Sequence, residues 1–191
     1  MLLIATNAYQ KPIEGLNPSK YTSVQYFQVA TKALPLDLVK SVLPNGEGCW
    51  DTASVMSSFR LDADNRLIIG GIGNLSHSSS KIHTNWARRK IESLFPHLKN
   101  IDIEFSWHGR IAMTGDHIPK ILKLGSNAYS VFGYSGRGIG PGTYFGKAVS
   151  ECLISGDETS LPVDPLDYYQ EPFSKIKAGF IEFGATARHL L

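Results

Sequence analysis

The chain has 191 residues, of which 42% are hydrophobic and 19% charged, with a formal net charge of +2. That is the make-up of a globular protein with one good core or a domain with an appendage, and it excludes a disordered polyelectrolyte and a strongly basic nucleic-acid binder. No apolar stretch approaches the length of a membrane span, Met1 to Ala5 is too short for a signal segment, and two well-separated cysteines, Cys49 and Cys152, suit a reduced, cytoplasmic setting.

In chain order, Leu2 to Ile4 reads as a buried strand, which implies a larger sheet with further strands outside this sequence. Val24 to Thr31 mixes β-branched and aromatic residues and predicts a strand, and Pro35 opens a short helix through Leu43 that Pro44, Asn45 and Gly46 close. Val55, Ser57, Phe59 and Leu61 alternate with Met56, Ser58 and Arg60, predicting a strand that pairs with Leu67 to Gly70 through a turn at Asp62 to Asn65. Arg60 then faces away from Phe59.

Gly71 to His83 lacks periodicity and reads as a loop before a helix that starts near Thr84 and carries Ala87, Ile91, Leu94 and Phe95 on one face. Ile101, Ile103, Phe105 and Trp107 alternate with Asp102, Glu104, Ser106 and His108, the pattern of a strand with one core face. Leu161 to Pro172 reads as a proline-bearing connector and Phe173 to Leu191 as a less regular tail. The six histidines show no metal-ligand spacing, so no metal is expected.

The most informative run is Gly133, Tyr134, Ser135, Gly136, Arg137, Gly138, Ile139, Gly140, Pro141, Gly142. An apolar strand, Tyr129 to Phe132, leads into it, and Phe145, Ala148, Val149, Cys152 and Leu153 leave it at helical spacing, with Gly156 as the stop. Glycines between a strand and a helix N-terminus let backbone N–H groups approach an electron-rich ligand. Such turns also form with no ligand, and neither GxxxxGK[ST] nor an intact GxGxxG is present in the run.

Four groups in order resemble one family: Ala5 to Tyr9; Phe59, Arg60, Asp64, Arg66, Leu67, Gly70 and Gly71; Trp107, Gly109, Thr114, Asp116 and Pro119; and Gly133 to Gly138. They look like the C-terminal portion of an FAD-dependent oxidoreductase of the D-amino-acid oxidase superfamily, closest to the gamma-glutamylputrescine oxidoreductase branch, through about Ile154. The resemblance implies an α+β fold: an antiparallel substrate-domain sheet with helices, plus the C-terminal part of an FAD-binding α/β fold. Residues 1–10 become a late strand of the FAD-binding fold, 11–110 the substrate domain, 111–156 the return to the FAD-binding fold and 157–191 a C-terminal tail.

The resemblance further implies oxidation of an amine or amino acid to an imine by hydride transfer to flavin, with no obligatory protein base. It places Thr6, Asn7, Gly109, Asp116, Gly136, Arg137, Gly138, Ile139 and Gly140 toward FAD, and Arg60, Trp107, His108 and Tyr134 toward substrate. Arg60 on a sheet face suits a substrate carboxylate or a plain solvated arginine, and Asp116 before Pro119 suits a turn alone. The sarcosine-oxidase-like branch has lysine where Gly140 stands, and His108 to Met113 offers no cysteine for covalent attachment, so noncovalent FAD is expected. The N-terminal GxGxxG half of the family is missing from the sequence. It would be supplied in cis or by another chain, and the alternatives are one subunit of a split flavoenzyme or a noncatalytic binding module.

Overall fold

The computed structural model describes residues 1–11, 13–15, 19–76 and 79–191. Its strands are β1 (Leu2–Ile4), β2 (Thr22–Ala33), β3 (Cys49–Trp50), β4 (Ser58–Leu61), β5 (Arg66–Ile72), β6 (Ile103–Met113), β7 (Lys120–Gly125) and β8 (Ala128–Phe132). Its α-helices are α1 (Leu36–Val42), α2 (Ser80–Leu94), α3 (Ile139–Ser155) and α4 (Ser174–Leu190). The chain is α+β, and it divides into two compact units, Met1–Val24 with Arg110–Gly179 and Gln25–Gly109 with Phe180–Leu191.

The first unit is built on a three-stranded sheet in the order β1-β8-β7, with β1 parallel to β8 and β7 antiparallel to it. The apolar stripe of α3 closes one face, where Phe145, Val149 and Cys152 pack with Ile121, Tyr129 and Val131. Gly156 ends α3 with φ 75°, returning its N–H to the Cys152 carbonyl at 2.8 Å, the left-handed cap that glycine supplies without a Cβ penalty. β1 lies at the sheet edge, with Ile4 buried and Leu2 half exposed, so the fully buried strand expected there is buried only at its end.

The second unit holds a five-stranded sheet in the order β3-β4-β5-β2-β6. Antiparallel register sorts its residues into two faces, because cross-strand partners share a side and neighbours along a strand do not. Cys49, Phe59, Ile69 and Val29 form one cross-strand row, and this face packs with Ala87 and Ile91 of α2 and Val42 of α1. Trp50, Ser58, Gly70 and Gln28 form a row on the other face, next to Arg60, Ile68 and Ala30.

Several sequence expectations are corrected. The strand expected from Val55 begins at Ser58, because Asp51 holds the N–H groups of Ala53 and Ser57 and the Ser57 hydroxyl in a turn. The expected loop from Gly71 to His83 belongs to β5 through Ile72 and to α2 from Ser80, while residues 77 and 78 of it lie outside the described residues. The core face expected along β6 is kept at Ile103, which packs against the core, but not at Phe105 and Trp107, which are 50% and 41% exposed on the last strand of the sheet. The irregular tail is instead the 17-residue helix α4, which buries Ala185 and His189 and exposes Ile176, Phe180 and Phe183. No described helix is long and apolar enough to cross a membrane.

Candidate functional site

The glycine-rich run forms the bend from β8 into α3. Gly133 turns the chain with φ 84°, and a Cβ there would stand 2.6 Å from Thr114 Cγ2, so the residue is fixed both by conformation and by contact. Its N–H donates to Asn7 Oδ1 at 3.0 Å. Ser135, at φ 52°, donates its N–H to the Ala112 carbonyl at 3.1 Å and takes the Thr114 N–H on its hydroxyl at 3.2 Å. Gly136 follows at φ 88°, and the Arg137 N–H closes back on the Tyr134 carbonyl at 2.9 Å.

These bonds deliver Gly138 as the residue before α3, and among the described residues no side chain caps the helix there. The first intrahelical bond runs from the Gly142 N–H to the Gly138 carbonyl at 2.9 Å, and Pro141 has no N–H. Among the described residues, no acceptor takes the N–H groups of Gly138, Ile139 and Gly140. All three residues are exposed, Ile139 at 91%, and a Cβ built on Gly138 or Gly140 meets nothing within 4 Å. Open donors at the positive end of a 17-residue helix favour an electron-rich planar or anionic group.

Of the other residues assigned to this end, Asn7 is drawn to the bend and spends its side-chain oxygen on it, adopting φ 47° to do so. Thr6 is exposed, and its carbonyl accepts the Tyr9 N–H at 2.9 Å. Asp116 sits in the β6–β7 turn, where its carboxylate pairs with Lys120 at 2.5 Å and accepts the Ile118 N–H at 3.1 Å. The lysine, opposed by burial and helped by that N–H, holds its carboxyl below the usual range. The Tyr134 ring packs edge-on against Phe145, and burial pushes its hydroxyl up.

In the second unit, Arg60 projects from β4 at a shallow depression of about 180 Å³, lined with Trp50, Gln28, Ser58 and Ile68. That volume accepts a headgroup rather than a whole drug-sized ligand. No carboxylate pairs with Arg60 among the described residues, in contrast to Arg66, which contacts Asp62, Asp64 and Glu104. The Tyr26 hydroxyl bonds the Ser58 hydroxyl at 2.7 Å beside it. Trp107 and His108 follow on β6, the latter bonding the Ser76 hydroxyl at 3.0 Å, and Gly109 lies in the middle of the strand.

Sequence reasoning missed Trp50, Gln28 and Tyr26. Alternation of Tyr26 and Gln28 with buried Phe27 and Val29 was the available signal for two of them, while Trp50 lies on a two-residue strand too short to show a period. Among the described residues no group of three or more His, Cys, Asp or Glu is placed to hold a metal ion.

Comparison with known proteins places this geometry. The chain belongs to the FAD dependent oxidoreductase family, whose model matches residues 2–152. It is 33% identical over 162 residues to the Haemophilus influenzae protein named "Probable oxidoreductase OrdL", covering 82% of this chain and 36% of that one. It is 28% identical to gamma-glutamylputrescine oxidoreductase of Escherichia coli, covering 83% of this chain and 37% of that one. L-proline dehydrogenase from P. horikoshii shares the fold with a TM-score of 0.64 at 21% identity, over 84% of this chain and 44% of that one. The chain spans a little over a third of the length of the curated relatives it matches.

Proposed function

We propose that this chain is the C-terminal portion of an FAD-dependent oxidoreductase that oxidises an amine or amino acid to an imine. The observation that carries the reading is the uncapped start of α3 at Gly138–Gly140, inside the family match. The bend fits a bound flavin because it presents open donors and no side-chain bulk at Gly138 and Gly140. When bound, FAD supplies the acceptor for the hydride that leaves the carbon bearing the amine.

Gly136, Gly138, Ile139 and Gly140 bring backbone to the cofactor, and their N–H dipoles are arranged before reaction, so stabilising negative charge needs no reorganisation. Asn7 acts by holding the Gly133 bend, and Asp116 by setting the turn that carries Lys120. Thr6, Gly109 and Arg137 border the same cofactor. Held by no cysteine of this chain's β6 segment, the flavin is bound noncovalently. Arg60 orients a substrate carboxylate through its forked donors, with Trp50 beside it as an aromatic wall for a cationic amine, while Trp107, His108 and Tyr134 are assigned to the substrate side. The protein works in the cytoplasm.

The adenosine and pyrophosphate are held by an N-terminal half supplied in cis or by another chain, and the free edge of β1 offers that half a strand to pair with. The second reading is a noncatalytic module derived from this fold, in which the exposed start of α3 meets no cofactor. Flavin absorbance separates the two. A yellow complex that appears when a chain bearing GxGxxG is added, and is bleached anaerobically by a primary or secondary amine, is the expected result; a colourless protein under every condition overturns the enzymatic reading.

A further inference from the structure

Away from both sites, the second unit buries two histidines completely, His83 of α2 and His189 of α4, each 0% exposed. Their Nδ1 atoms are 2.8 Å apart although the residues are 106 positions apart in sequence. The His189 ring stacks on Trp86 with centroids 4.0 Å apart, and Phe27 of β2 packs on both imidazoles. Both Nε2 atoms are buried and, among the described residues, have no hydrogen-bond partner. Two ionisable rings set edge to face and sealed by apolar groups are a costly arrangement unless their protons are specified.

The geometry specifies them. A 2.8 Å Nδ1···Nδ1 contact needs one donor and one acceptor, so a single N–H lies between the rings. The charged groups around the pair are Glu182 of α4, whose carboxylate is 3.5 Å from His83 Nε2, and Arg89 of α2, whose guanidinium donates to the His189 carbonyl at 2.5 Å. Glu182 also accepts the Asn74 N–H at 3.0 Å, which fixes its position. A carboxylate beside His83 Nε2 favours a proton there, leaving His83 Nδ1 as the acceptor and His189 Nδ1–H as the donor. An added proton at His189 Nε2 makes a buried cation with no hydrogen-bond partner among the described residues. An added proton at His83 Nδ1 forces two N–H groups into opposition at 2.8 Å.

We infer that His83 and His189 form a proton-counting latch, which holds the Phe180–Leu190 stretch of α4 on α2 only while both rings are neutral and share a single proton between their Nδ1 atoms. Burial depresses both rings' basicity. For His83 the carboxylate of Glu182 opposes it; for His189 the neighbouring His83 and Arg89 add to it, down to about 4. A folded-state value below the unfolded 6.5 means that the unfolded chain binds the protons more readily, so the latch is whole above that pH and is lost as pH falls toward about 4. The Arg89 bond goes to the His189 backbone carbonyl and not to either ring, so it does not depend on the shared proton.

Peptide-resolved hydrogen exchange on the whole chain tests the idea, with rates corrected for intrinsic pH dependence. Protection over residues 180–190 is expected to fall about tenfold or more between about pH 6.5 and 4, while α3, which contains no histidine, keeps its protection. In His189→Asn, whose amide nitrogen stands where Nδ1–H does and cannot titrate, that pH dependence is expected to flatten. Unchanged protection over residues 180–190, or simultaneous loss from α3, overturns the latch. Should the variant not fold, ¹⁵N-histidine spectra of the wild type decide: a shared N–H seen as coupling between the two Nδ1 nuclei is required, and two rings titrating independently near 6.5 refute it.

Discussion

The Asn7 side-chain oxygen accepts the Gly133 N–H at 3.0 Å, joining positions 126 residues apart. The bond ties the segment after β1 to the bend after β8, the two strands that already run in parallel register from Leu2–Ala128 to Ile4–Ser130. Asn7→Ala removes the acceptor and places a residue less tolerant of φ 47° at that position, so a loss of about 2 kcal/mol is expected by urea denaturation. Asn7→Asp keeps the acceptor and is expected to lose less.

Gly133→Ala meets two obstacles at once, a left-handed φ of 84° and a Thr114 methyl 2.6 Å from the new Cβ. A destabilisation of about 2–4 kcal/mol is expected from the two together. Gly138→Ala adds a methyl into open space at φ −77° and is expected to leave the melting temperature within about 2 °C of wild type. Thermal unfolding of the two variants side by side checks the contrast.

Arg60 is exposed and pairs with no carboxylate among the described residues, so Arg60→Ala is expected to leave the melting temperature unchanged. In the reconstituted flavoenzyme the same change is expected to raise KM for a carboxylate-bearing amine about 10- to 100-fold, a loss of about 1.4–2.7 kcal/mol of binding. Arg60→Lys recovers only part of this, since one ammonium does not reproduce the fork. Steady-state kinetics on substrates with and without the carboxylate gives the answer.

Asp51 defines a second acid-sensitive point, separate from the histidine pair. Burial raises its carboxyl, but Lys90 at 2.7 Å, the Ser57 hydroxyl and the N–H groups of Ser57 and Ala53 outweigh burial and bring it to about 2. Its folded value lies below the unfolded 3.8, so its stabilisation is present above that pH and is lost as pH falls toward about 2. Asp51→Asn is expected to flatten the stability profile in this lower window and leave the 6.5-to-4 window intact, as followed by chemical denaturation at stepped pH.

Legibility in the sequence followed how directly each pattern reports burial. α3 was readable because Phe145, Ala148, Val149 and Cys152 face one core and a left-handed Gly156 ends it. The β4–β5 hairpin was readable from its turn, where Asp62 takes the N–H groups of Asp64 and Arg66 and Asn65 adopts φ 62°. α4 was hidden because its apolar residues divide between a buried side, Ala185 with His189, and an exposed one, Ile176, Phe180 and Phe183, with Gly179 and Gly184 between. In β6 the alternation of Phe105 and Trp107 told which side they share but not that they stay exposed. Among the candidate residues, Arg60 could be assigned to a sheet face from alternation with Phe59, whereas Trp50 and the partners of Asn7 are products of long-range pairing that no local period records.

Gly70 gives the sheet its relief. A Cβ there would lie 2.6 Å from the Phe27 carbonyl oxygen, 2.8 Å from Gln28 Cγ and 2.9 Å from Tyr26 Cε1. The flank of β2 therefore leans across β5 into space that any other amino acid would claim. Reshaping this hollow for a bulkier guest is a matter of trimming Tyr26 or Gln28, because enlarging position 70 would prise the two strands apart before it altered what the hollow admits.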